Sequence, residues 1–104
     1  MPPKKETKEK PFKITLKGNL MITEIGKHHK KLVRDIKQHD CVFLDLRQIE
    51  NCDAAGIQLL CALQKTLEIS KKTLVKMETS DPVITAFERT GVDPKVVFNL
   101  KEEA

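Results

Sequence analysis

Apolar residues along the chain change period several times, and each change marks an element. In "FKITLKG", Phe12, Ile14 and Leu16 alternate with Lys13, Thr15 and Lys17. That is the pattern of a half-buried strand, with Gly18 expected to stop it. From about Thr23 to His39 the period becomes helical. Ile25, His29, Leu32, Val33 and Ile36 recur on one face, while Lys27, Lys30, Lys31, Arg34 and Lys37 fill the remaining positions. An amphipathic helix with a basic outer face is predicted. "CVFLDL", Cys41 to Leu46, is an almost unbroken apolar run, as in a buried parallel strand. Asp53 then precedes a helix from about Ala54 to Ser70, whose wide arc of Ile57, Leu59, Leu60, Leu63 and Leu67 marks it as central. "TLVKM" reads as the next strand. "SDPVITAFERTG" places Asp81 at a helix N-cap, Pro82 at the first helical position and Gly91 at the end. "KVVFNL" reads as a last short strand.

Strands and helices therefore alternate, which predicts an α/β fold of repeated βα units around a mostly parallel sheet with right-handed crossovers. The 104 residues fit one domain, assigned to 11–104. Residues 1–10, "MPPKKETKEK", carry two prolines and many charges without periodicity, and are expected to form a disordered basic tail.

Charge and cysteine content narrow the function classes. The net charge is +4, and the tail supplies half of the excess. The chain has no Trp or Tyr to stack on bases, so nucleic acid is not an expected partner. No apolar run is long enough for membrane insertion, and none follows the basic start as in a signal peptide; a cytoplasmic location is expected. Cys41, Cys52 and Cys61 are odd in number and lie in apolar contexts, and neither they nor His28, His29 and His39 have metal-ligand spacing. No glycine-rich phosphate loop occurs. Asp45, Glu50 and Asp53 lie near strand ends but lack a nucleophile or basic partner in sequence, so no enzyme is expected, and no cofactor or metal. Asp45 is expected to hold a neighbouring loop and Asp53 to cap a helix.

"NCDAAGIQLL" remains to be explained. With Asp53 as N-cap, Ala54, Ala55 and Gly56 form the first turn of a helix that follows a buried strand. Strand-to-helix turns often hold chemistry, yet these residues carry none. Their small size is expected to keep the surface flat and the backbone amides accessible, fit to receive an anion, a phosphate or a docking chain.

The stretch "VFLDLRQIENCDAAGIQLL" resembles the signature of STAS domains, the fold of anti-sigma factor antagonists. "SDPVITAFERTGV" is similar to the family's S-P-x-V-x-x-x-F-x-x-S/T-G-L helix, through Ser80, Val83, Phe87, Thr90, Gly91 and Val92. "ITLKGNL" is similar to its early strand and turn. The resemblance spans about Phe12 to Phe98 and implies the STAS fold and a non-enzymatic protein-binding module. In the antagonists a serine of the D-S-S-G turn is phosphorylated by a kinase that is also the anti-sigma factor. Ala55 stands at that serine's position, so no phosphoacceptor is expected there; Thr23, Thr79 and Ser80 are the hydroxyls expected near the same surface. Met21 replaces the usual acid after G-x-L, the family's first strand is weak in the tail, and the residues after "KVVFNL" are too few for its C-terminal helix.

The resemblance implies a partner-binding surface of Asp53, Ala54, Ala55, Gly56 and Gln58, with Asn19, Met21 and Thr23 beside it. The leading partner is an anti-sigma or GHKL-type kinase in bacterial signalling. The alternatives are the ATPase of a phospholipid-transport ABC system, a chemotaxis-associated role, or a small nucleotide or ligand.

Overall fold

The computed structural model describes residues 11–98. The expected 1–10 tail therefore lies outside the described residues. Three parallel strands, β1 (Phe12–Leu20), β2 (Cys41–Cys52) and β3 (Thr73–Thr79), form a sheet in the order β1-β2-β3. Helix α1 (Ile25–Gln38) connects β1 to β2 and α2 (Ala54–Ile69) connects β2 to β3. Right-handed crossovers between adjacent parallel strands put both helices on one face of the sheet. α3 (Asp81–Thr90) and the four-residue α4 (Pro94–Val97) follow. α2 packs against both α1 and α3. Its Ile57, Leu60 and Leu67 meet a core that includes Ile14, Leu16 and Leu20 of β1, Leu44 and Leu46 of β2, and Val83 and Phe87 of α3.

Several expectations change. Gly18 does not stop β1. Its φ of 85° is absorbed where the β1–β2 register shifts, at a bulge between Gly18 and Asn19, and the strand runs on to Leu20. β2 also runs past Leu46 to Cys52, because bulges bring Ile49 back into the core. In α1, His28 is buried and His29 is exposed, the reverse of the predicted face. Both positions fit the spacing between Ile25 and Leu32. The tie is broken by the Asn19 carbonyl, which lies 2.9 Å from His28 Nε2.

Ser80, not Asp81, is the N-cap residue of α3, so Asp81 and Pro82 are its first two residues. The Ser80 hydroxyl donates across to the Ile49 carbonyl at 2.7 Å instead of capping its own helix. The segment read as a final strand forms α4. Asp93 caps it by accepting from the Lys95 amide at 3.0 Å, and Pro94 supplies a helical φ at its first position. Phe98 is then buried edge-on against Phe87, with ring centroids 6.2 Å apart.

Gly56 fixes the distance between α2 and β1. A Cβ at this position would lie 2.3 Å from the Leu20 carbonyl oxygen and 2.9 Å from Cys52 Sγ. Gly56→Ala should therefore destabilise the fold by about 1–3 kcal/mol, as overpacking does. Gly26 in α1 is the contrast, since a Cβ there meets nothing within 4 Å. Gly26→Ala should stabilise by about 0.4–1 kcal/mol through the unfolded chain. Urea unfolding of the two variants checks both signs.

Candidate functional site

Parallel strands gather their strand-to-helix turns at one end of the sheet, where open α/β folds place their sites. Here that end carries the Met21–Glu24 turn after β1, Asp53 after β2 and Ser80 after β3. β2 extends well past its last pairing with β3, Leu46 to Thr79. Ser80 consequently sits level with Ile49, while the first two turns meet at the far tip, where Leu20 pairs with Cys52.

Asp53 joins those two turns. One carboxylate oxygen accepts from the Gly56 amide at 3.1 Å and caps α2; the other accepts from the Ile22 amide at 3.1 Å. The Asp53 amide donates to the Leu20 carbonyl at 3.3 Å. Asparagines extend the tie, with Asn51 Nδ2 donating to Asn19 Oδ1 at 2.8 Å and Asn19 Nδ2 donating to Glu24 at 3.2 Å. The Asn19 bond, followed by the Lys27 ammonium 3.3 Å away, holds the Glu24 carboxyl below its ordinary range.

The predicted site residues are brought together, with unequal exposure. Ala54, Gln58 and Thr23 are exposed; Asn19, Met21, Asp53 and Ala55 are half-buried. Gly56 is buried and its amide is taken by Asp53, so it offers a partner neither side chain nor free amide. Of the hydroxyls considered, Thr23 is in the turn tied to Asp53, and Ser80 is held by Ile49. Ile22, Glu24, Asn51 and His28 complete the constellation and were not predicted. Ile22 is 68% exposed at the tip of the turn. An apolar residue outside the helical period was the one sequence signal for it.

From Ala54 an open groove of about 450 Å³ runs along α2 past Ile57, Gln58, Cys61 and Lys65 to Thr90 and Val92 at the end of α3. Burial, with the Asp53 charge nearby, pushes the Cys52 thiol up to about 11, which keeps it protonated and a poor nucleophile. Asp45 holds Arg47, two residues on in the same strand, not a neighbouring loop. Its two oxygens receive Arg47 Nε and Nη2, each at 3.0 Å, and Lys13 lies 3.4 Å away. Arg47 keeps this carboxyl well below the usual range, unfit as a general acid. Among the described residues no group of three His, Cys, Asp or Glu side chains is placed to hold a metal, and no helix is long and apolar enough to cross a membrane.

Asp53→Ala should remove the cap and free the Ile22 amide together, costing about 0.5–2 kcal/mol for the cap alone. Thermal melting and amide exchange at Ile22 test this. The account requires both to change, with Asp53→Asn intermediate.

A family model described as "Mlab, STAS domain" matches residues 4–98. The chain belongs to the STAS domain family. Among solved structures, the chain is similar to a sulfate transporter family protein from Wolinella succinogenes, with a TM-score of 0.64 and 19% identity. The match covers 88% of this chain and 77% of that one, and it supports the α/β STAS fold. No curated protein matches the chain.

Proposed function

We propose that this STAS domain is a constitutive docking module that acts by binding another protein, without catalysis, through the Met21–Glu24 turn and the start of α2. The observation that carries the reading is the double use of Asp53. By binding the Ile22 and Gly56 amides at once, it turns two separate loops into one preorganised surface. That surface presents Ile22, Ala54, Ala55 and Gln58, with Asn19, Met21 and Thr23 around them. Ala55 occupies the position of the antagonists' phosphorylated serine and has no hydroxyl, so the surface lacks their switch.

In the leading reading the partner is an anti-sigma or GHKL-type kinase in bacterial signalling, and the chain is an antagonist-like, cytoplasmic regulator active without dephosphorylation. A second reading, an accessory subunit packed on the ATPase of a phospholipid-transport ABC system, is favoured by the match to the Mlab STAS family. Both readings use the same surface. Capture of partners from the native host, identified by mass spectrometry, separates them.

Ala55→Asp tests the surface itself. Residue 55 is the second position of α2, where an acid favours the helix dipole by about 0.3–1 kcal/mol when exposed. The fold should be kept. Binding should fail, because a partner covering this turn must bury an unpaired carboxylate at a cost of several kcal/mol. Ile57→Asp, at a side chain 2% exposed, should lose folding and binding together. Melting curves and partner affinity for each variant decide. Wild-type affinity in a folded Ala55→Asp protein contradicts the proposal.

A further inference from the structure

The basic face of α1 is not absorbed by this reading. At about 100° per residue, Lys37, Lys30, Arg34, Lys27 and Lys31 fall within an arc of roughly 120°. That arc lies opposite the buried stripe of His28, Leu32 and Ile36. The cations run from Lys27 to Lys37 within this 14-residue helix, so they form a strip about 15 Å from end to end.

The spacing within the strip is unfavourable to the helix. Lys27–Lys31 and Lys30–Arg34 are like-charge pairs four residues apart, and Lys27–Lys30, Lys31–Arg34 and Arg34–Lys37 are like-charge pairs three apart. Such pairs destabilise a helix, whereas an ordinary solvated face alternates sign. Acids relieve part of this repulsion. Glu24 takes Lys27 at 3.3 Å, and Asp35 takes Lys31 at 3.9 Å and Arg34 at 3.5 Å. Lys30 and Lys37 have no ion-pair partner among the described residues. They line a shallow depression with His29, Val33, Arg34 and Gln38. Local rules broken without internal compensation are expected where a surface has an external task.

We propose that this strip docks the protein onto an anionic lipid surface, with α1 lying along the plane of the headgroups. Four of the five cations are lysines, whose flexible point charges suit a diffuse negative plane better than the bidentate recognition for which arginine is preferred. The depression on this exposed helix face is shallow and open, which fits a flat counterpart. Nucleic acid is less well matched, because the chain has no Trp or Tyr and α1 has no Phe for stacking on bases. The attraction is peripheral and needs no insertion. It is independent of the protein partner proposed above.

Cosedimentation of the full chain with phosphatidylglycerol-rich vesicles and with pure phosphatidylcholine vesicles tests the inference. Binding is expected to the first only, and to vanish at high salt as screening shortens the reach of the charges. Each lysine replaced by Gln should lower partitioning about fivefold. The double reversal Lys30→Glu/Lys37→Glu should abolish it. That variant replaces repulsive pairs with attractive ones, so its melting temperature should not fall. It also leaves Asp53–Gln58 intact, so protein-partner capture should persist. The proposal is overturned by no low-salt binding to the anionic vesicles, by binding unaffected by the reversal, or by a reversal that affects only retention on duplex DNA or an acidic protein. Replacing Lys4, Lys5, Lys8 and Lys10 by Gln supplies the remaining control. If that change alone removes vesicle binding, the strip on α1 is not the site.

Discussion

One carboxylate holds together the end of the molecule where docking is proposed. Asp53 follows directly on β2, and its two oxygens reach two amides that belong to different turns, Ile22 and Gly56. This geometry is available only because α2 begins almost in contact with the end of β1. Gly56 makes the contact possible, since any side chain there would collide with the Leu20 carbonyl. The small residues of "DAAG" thus have two separate tasks. Gly56 lets the elements meet, and Ala54 and Ala55 add neither bulk nor charge of their own at the meeting point.

The fold was legible where period and core coincide. Ile57, Leu60, Leu63 and Leu67 defined α2 because a central helix must bury a wide arc, and Leu44 and Leu46 defined β2 for the same reason. It was less legible where a backbone irregularity intervened. Gly18 reads as a stop in sequence, yet a bulge accommodates its positive φ and β1 continues. "KVVF" has the β-branched residues of a strand, but the preceding Asp93 and Pro94 start a helical turn, and Phe98 gains more by packing on Phe87. His28 and His29 were indistinguishable by spacing, and a backbone carbonyl on another element decided between them.

The candidate site was legible in outline and not in its wiring. Asp53 as a cap followed from local rules, because the cap bond spans three residues. Its bond to Ile22 spans 31 residues and the Asn51–Asn19 bond spans 32, and no local pattern encodes either. Charge shows the same contrast between internal and external use. The sheet's buried acid, Asp45, is neutralised from within by Arg47 and Lys13. On α1 the acids are too few for the cations, and the excess faces outward.

The central claim is that the two turns joined by Asp53 bind as one surface. Chemical-shift mapping of the labelled protein, titrated with the partner captured from its host, tests it most directly. The account predicts a continuous footprint over Ile22, Thr23, Ala54, Ala55 and Gln58, with the amides of β3 unmoved. A footprint confined to β3 or to the far end of α2, leaving Ile22 and Ala55 unchanged, would contradict it.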